Sequence, residues 1–318
     1  MWAFVLRRLL YSVPIYLGII LIVMAALRVN DPVYAYLGKQ ASQEQIEAKR
    51  HAMGLDRPFA AQYFSFLAQV FTLNFSATES WRYEGKSVGE ILGESVMPSL
   101  SLAVPAFIIT TVVSIGVGII SSYYRGSTLD RTLMVLIVLG MSISVLVFII
   151  LGQYFGAYWL EKRWGVRLFA TGGYEPGLSR WVYYCALPVI IDVVLAMGYD
   201  ARFYRAVMVE ETTRDYITTA VAKGATKPKI MFVHMLKNAM IPIITRIMIS
   251  FPFLIGGSIL LETQFRIPGM GMMLIEAITN KDFPVIQAFT AVFAAVFVLS
   301  TIVTDVLYAL VDPRVRLS

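Results

Sequence analysis

The sequence predicts an all-α, polytopic membrane protein with about six transmembrane helices, on three observations. First, 58% of the 318 residues are hydrophobic and only 15% are charged. A soluble domain averages about 45–50% apolar and about 25% charged. Second, the apolar residues gather in about six stretches of bilayer-spanning length, roughly 17–25 residues each. Third, the short segments between those stretches concentrate Lys and Arg. In lipid the backbone must satisfy its own hydrogen bonds, which leaves helices or closed barrels, and unbroken apolar runs fit helices. The net charge of +6 does not indicate nucleic-acid binding, because the basic residues flank apolar runs, as in cytoplasmic loops.

The expected spans are 9–27, 99–123, 133–160, 181–199, 240–261 and 286–311. Arg7 and Arg8 precede the first, as in a signal peptide. That run exceeds a typical h-region of about 7–15 residues and ends without a clear cleavage site, so it reads as an uncleaved helix. Ser, Gly and Pro inside several spans suit close helix–helix approach. Cys185 is the only cysteine, so no intrachain disulfide can form. Trp159, Trp164 and Trp181 fit an interfacial aromatic belt.

Orientation follows from the basic residues of the short loops. Arg7, Arg8, Arg125, Arg131, Arg202, Arg205, Arg214, Lys223, Lys227, Lys229, Lys237, Arg314 and Arg316 share one side with both termini. The other side holds Lys162, Arg163, Arg167, Arg180, Arg266 and Lys281. The richer side is cytoplasmic, so both termini are expected there. Segment 30–98 is then exported, and its patterning is that of a folded helix pair. Ser42-Gln43-Glu44-Gln45 has the form of a capping box, and Gly54 suits a helix stop. Pro58 suits the start of a second helix to about Phe71, with Phe59, Tyr63, Phe66, Leu67 and Val70 on one face. The pair is either a cover over the outer mouth or an ordinary surface element.

Segment 200–239 is roughly forty residues long, far beyond a plain connector. Within it, the Asp215 carboxylate can cap a short helix on which Ile217, Ala220 and Val221 share a face. Gly224 suits a left-handed C-cap and Pro228 the first turn of the next helix. A rigid cytoplasmic helix carried between two longer ones can transmit a partner's motion into the bilayer.

At this point the sequence resembles the permeases of the dipeptide, oligopeptide and nickel group of bacterial ABC importers. Asp215, Tyr216, Thr219, Ala220, Ala222, Lys223 and Gly224 match the group's cytoplasmic motif, followed by His234, Leu236, Asn238, Ala239 and Pro242. Arg7-Arg8-Leu9-Leu10 with Pro14 is similar to its opening, and Gly54-Leu55-Asp56-Arg57-Pro58 to its exported segment. Glu262, Phe265, Pro268, Gly269 and Gly271 follow a further motif, and Asp305, Tyr308, Asp312, Pro313 and Arg314 the C-terminal one. The likeness covers essentially the whole chain. It departs at Asn30-Asp31-Pro32, at Leu73-Asn74-Phe75-Ser76, and at Ser142-Ile143-Ser144, where the group's helix-perturbing proline is missing.

The resemblance implies the type I ABC importer permease fold in the bacterial inner membrane. Residues 1–98 would form a transmembrane helix plus an exported segment, and 99–318 a five-helix core with coupling loop 200–239. It implies as partners a homologous permease subunit, two ABC ATPase subunits, an extracytoplasmic substrate-binding protein and membrane lipid, with no nucleic acid. Peptides are the first expectation for cargo; nickel, glutathione, an opine or a sugar are alternatives. Asp215, Thr218, Thr219, Ala220, Lys223 and Gly224 would couple to the ATPase.

The chain itself is expected to be no enzyme and to hold no cofactor or metal. Gly85-Lys86-Ser87 resembles the end of a P-loop, but Ser80 stands where the first glycine is required. His51 and His234 lie in loops on opposite sides. Arg28 and Asp200 sit near span ends, where long or charged side chains reach water. Asp192, Arg246 and Asp305 are ionisable residues in or near spans and are candidates for the transport path or for partner contacts. Asp192 and Arg246 are the deepest, and a structural ion pair is the alternative. An ion-driven secondary transporter would predict internal repeats and spans broken near the midplane, and no repeat is present.

Overall fold

Long apolar helices dominate the computed structural model, which describes residues 2–29, 32–37, 41–250 and 259–311. The first helix, α1 (Trp2–Leu27), carries Pro14 inside it. The segment between α1 and the core supplies α2 (Val33–Leu37), α3 (Gln43–Ala52) and α4 (Phe59–Thr72). The core follows as α5 (Val88–Tyr123), α6 (Thr128–Ser142), α7 (Val145–Trp164) and α8 (Leu178–Glu211). A short α9 (Asp215–Ala222) leads to α10 (Lys227–Ser250), α11 (Ile259–Phe265), α12 (Met270–Asn280) and α13 (Phe283–Val311).

Among the described residues, five helices are long and apolar enough to cross a membrane, or six if the bent pair α6–α7 is one span. Their most apolar windows bury only 17–39% of their residues inside the molecule. Leu10, Ile15 and Ile22 of α1 and Ile108 and Val112 of α5 point outward, which suits lipid and not water. The chain is thus a multi-pass membrane protein of all-α architecture. Residues 251–258 of the expected fifth span lie outside the described residues.

The expected third span is not one helix. It breaks between α6 and α7 with a 97° bend. Ile143 (φ −90°, ψ 135°) and Ser144 (φ −60°, ψ 141°) are extended. The group's proline is not needed for the break: the chain is extended at Ile143 and Ser144 without it, and Ser144 stands at the N-cap position of α7 with no side-chain cap bond. The fourth span also departs from expectation, running beyond Tyr199 as α8 to Glu211. Pro98 and Ser99, where the sequence suggests a domain boundary, lie inside α5.

Local signals in this N-terminal segment have their expected form. Ser42 and Gln45 make the reciprocal capping box, and Gly54 ends α3 with φ +65°. The Gly85-Lys86-Ser87 stretch is a turn and a cap. Gly85 has φ +78°, and Ser87 forms a second capping box with Glu90 at the start of α5.

Packing falls into three apolar clusters strung along α5, whose 36 residues span about 54 Å. At its start, Val88, Ile91 and Leu92 meet Met24 of α1, Phe66 and Val70 of α4, and Phe283 and Phe289 of α13. Midway, Leu102 and Ala106 meet α7, α8 and α11. At its end, Ile119 meets Tyr204 and Met208 of α8, Ala220 of α9 and Ile230, Met231 and Met235 of α10. Helices α4 and α9 therefore sit at opposite ends of the bundle.

Candidate functional site

The candidate coupling element is α9. Its start is not capped by Asp215, as the sequence suggests. Arg214 is the N-cap residue with no side-chain cap bond, and Asp215 lies in the first turn. There its charge is favourable against the free N–H groups and the helix dipole. The end follows expectation. Gly224 has φ +75°. Its N–H donates to the Val221 carbonyl at 2.9 Å, and the Ala225 N–H donates to the Ala220 carbonyl at 3.1 Å. This is the paired 5→2 and 6→1 bonding of a Schellman turn, with Ala220 and Ala225 both in the apolar cluster beneath. Pro228 then occupies the first turn of the next helix.

The shared face expected for Ile217, Ala220 and Val221 divides. Ala220 is buried and Ile217 packs beside it in the molecule's own cluster, while Val221 is 57% exposed. Asp215, Thr218, Thr219, Ala222, Lys223 and Gly224 are exposed with it. Helical geometry forces this split, since Val221 stands about 100° round the axis from Ala220. The free surface is accordingly mainly polar, with Val221 and Ala222 as its apolar residues, carried on an apolar root. Burial, and then the hydrogen bond it donates to Glu211, push the Tyr216 hydroxyl above the ordinary tyrosine range. That bond ties the first turn of α9 to the end of α8.

Beside this root lies an ion pair that sequence patterning did not single out. Arg205 of α8 donates through Nε and a terminal nitrogen to the two Asp130 carboxylate oxygens, both at 2.8 Å. Ser121 of α5 also donates to Asp130, as does the Gly126 N–H at 3.0 Å. Asp130 is 3% exposed. The network joins α5, α6 and α8.

The charged residues of the spans are distributed differently from the sequence reading. Arg246 does not pair with Asp192. It donates to Asp200 at 2.9 Å, 46 residues away on α8. Both line a cavity of about 410 Å³ between α5, α8 and α10, together with Asp192, Thr110, Thr111 and Ser250. Asp192 has no hydrogen-bond or ion-pair partner among the described residues. Asp305 is elsewhere: it pairs with Arg8, which donates at 2.8 Å, and so links α13 to α1. Arg28 and Asp200 lie at the end of α1 and within α8 respectively.

A second missed residue is Glu262, which is 0% exposed. Its carboxyl group accepts from the Ser99 hydroxyl at 2.6 Å, the Gly271 N–H at 2.7 Å and the Met272 N–H at 3.1 Å. Ser99 in turn accepts from the Met270 N–H at 2.7 Å. Together they satisfy the free donors at the start of α12 and fasten it to α5. Gly269 and Gly271 allow the wrap, because a Cβ on either would come within 3.0 Å of Glu262. The motif containing Glu262 was visible in the sequence, but its partner Ser99 lies 163 residues away. At the same end of the bundle, burial and then a hydrogen bond to Glu276 push the Tyr83 hydroxyl up to about 12.

These features define an integral membrane transport component: an open apolar exterior, a largely apolar cavity between spans that holds Asp192, Asp200 and Arg246, and a short helix at one end. Comparison with known proteins identifies the family. Residues 114–317 match the family described as binding-protein-dependent transport system inner membrane component, and residues 1–89 match its N-terminal companion. The chain belongs to this family, whose members are multi-pass inner-membrane parts of ABC transport systems. It is 32% identical, over 99% of its length and 100% of the relative's, to a Sinorhizobium fredii protein named "Probable peptide ABC transporter permease protein". It is 30% identical, over 98% of both chains, to the glutathione transport system permease protein of Shigella flexneri. The family match separates this chain from ion-driven secondary transporters, even though one of its spans is broken.

Proposed function

We propose that this chain is a peptide-importing permease subunit driven by ATPase subunits that dock on α9. The observation that carries the reading is the construction of α9. Its root is buried on α5, α8 and α10, while Thr218, Thr219, Val221 and Lys223 are free to meet a partner. The peptide name of the Sinorhizobium relative supports peptides as cargo, and the Shigella relative makes glutathione the first alternative to test. Both termini and α9 are cytoplasmic, and α2–α4 are exported, on the strength of the Lys and Arg distribution. Two ATPases, a homologous permease and an extracytoplasmic binding protein complete the machine. The cavity with Asp192 and the Arg246–Asp200 pair is this subunit's wall of the transport path. Asp305, paired with Arg8, positions the flanking helices.

The test is reconstitution of the purified complex in vesicles. Labelled peptide should enter only with ATP and loaded binding protein, and hydrolysis should rise when loaded binding protein is added. Uptake driven by an ion gradient without ATP would overturn the reading. Uptake of glutathione but not of other peptides would narrow the cargo.

A further inference from the structure

Among the described residues, one carboxylate in the spans has nothing to balance it. Asp192 stands near the middle of the expected fourth span and lines the cavity of about 410 Å³ between α5, α8 and α10. A charge at that depth is costly unless it is paired, and such a residue is a functional candidate. Arg246 is the one basic residue on the cavity wall among the described residues, and it already donates to Asp200 at 2.9 Å. Segment 251–258, which continues from α10, contains no Lys, Arg or His. The helices around the cavity therefore offer Asp192 no counter-ion of its own.

The rest of the cavity has the make-up of a small-molecule site. Such sites occupy about 300–1,000 Å³ and are mainly apolar, with a few polar groups that fix orientation. Here Phe107 of α5 and Ile247 of α10 supply apolar wall, and Thr110 and Thr111 bring hydroxyl groups. One carboxylate beside hydroxyls does not make a metal site. No group of three or more His, Cys, Asp or Glu side chains able to hold a metal ion occurs among the described residues. An organic ammonium group suits the cavity better. It brings the missing charge and N–H donors to the carboxylate, on a body that apolar walls can cover.

We propose that Asp192 receives the positively charged amino group of the cargo as it passes this subunit. The ammonium donates to the Asp192 carboxylate, and the apolar part of the cargo lies against α5 and α10. This rests on the reading of the cavity as a wall of the transport path. Peptides and glutathione both carry a free amino group, so the inference holds for either cargo. A cation from a second permease subunit would satisfy the same carboxylate but leave the apolar part of the cavity unfilled, which favours the cargo.

Two measurements on the fully assembled transporter test it: uptake into vesicles, and thermal unfolding of the cargo-free complex. The uptake probes are a labelled pool of dipeptides and tripeptides with free amino ends, and labelled glutathione. Asp192→Asn removes the charge at nearly constant shape. It should lower uptake of whichever probe the wild type imports by at least about tenfold, the scale of a charged hydrogen bond. Asp192→Glu, which keeps a carboxylate, should retain more uptake than Asp192→Asn. Without cargo, the unfolding temperature of Asp192→Asn should equal or exceed that of wild type, because an amide costs less than an unpaired charge. Uptake by Asp192→Asn at the wild-type rate would overturn this inference and leave the proposed function standing. A lower cargo-free unfolding temperature, or failure to assemble, would assign the carboxylate to a contact with another subunit and overturn its role toward cargo. Absence of ATP-driven uptake of either probe by the wild type would overturn the proposed function and this inference with it.

Discussion

Glu262→Ala should be among the most destabilising single substitutions in the core. The side chain is fully buried and accepts three hydrogen bonds, at 2.6, 2.7 and 3.1 Å. Removing it strands the Ser99 hydroxyl and two N–H groups at the start of α12. A buried donor left unsatisfied costs about 1–3 kcal/mol. The Met272 N–H is only part-buried and recovers some of its loss through water, so the sum is about 3–5 kcal/mol. For a chain of this size, about 2–4 °C of Tm follows each kcal/mol, giving a fall of roughly 6–20 °C. The assay is thermal unfolding of the purified complex in detergent, followed by fluorescence-detected size exclusion. Glu262→Gln keeps one acceptor oxygen but turns an NH₂ toward N–H donors, so it should fall between Ala and wild type. A Tm for Glu262→Ala within about 2 °C of wild type would refute the carboxyl group's role in holding α12 to α5.

Other expectations follow from the same geometry. Gly224 has φ +75° and open space where a Cβ would lie, so substitution costs backbone strain alone, about 1–2 kcal/mol for a β-branched residue. Gly224→Val should reduce uptake at least about fivefold at near-normal membrane abundance. Gly224→Asn, which tolerates a left-handed conformation, should stay close to wild type, and equal uptake by both variants and wild type would remove α9's C-cap from the coupling argument. Arg205→Ala leaves Asp130 buried and unpaired, a loss of about 3–5 kcal/mol, whereas Arg205→Met with Asp130→Leu should recover most of it. Thermal unfolding of the two variants measures the difference, and equal values would mean that the pair is not a unit. A reporter active only in the cytoplasm should work when fused after Ser318 and be silent when inserted near Glu79; the reverse pattern would invert the topology.

What was legible in the sequence is what depends on near neighbours. The Ser42–Gln45 box, Gly54, Gly224 and Pro228 are each fixed by a few adjacent residues, and each takes its expected form. The apolar stretches are read equally well because lipid imposes composition directly. The failures share a different cause. Asp192 and Arg246 look like partners by depth, but Arg246 meets Asp200 because helix rotation, not depth, decides which side chains face each other. Glu262 and Ser99, or Arg205 and Asp130, are joined by packing across long chain separations that no local pattern encodes. The continuation of α8 through Asp200 to Glu211 was hidden by charged residues, which mark the limit of the apolar stretch but not of the helix. At Ile143–Ser144 the missing proline was a poor guide, because the chain turns extended there without it and Ser144 takes the N-cap position of the following helix.

The central claim is that α9 is the surface through which ATPase subunits move this chain. Thr218 and Val221 are exposed on it, whereas Ala220 is buried on the molecule's own core. In a background where the buried Cys185 is replaced by Ser, single cysteines at Thr218, Val221 or Ala220 can be challenged with a short bifunctional crosslinker in the assembled transporter. Thr218→Cys and Val221→Cys should join this chain to an ATPase subunit, with a yield that changes between the nucleotide-free and ATP-bound states, and Ala220→Cys should not. Absence of ATPase crosslinks from both exposed positions, in a complex that still hydrolyses ATP and imports cargo, would contradict the account.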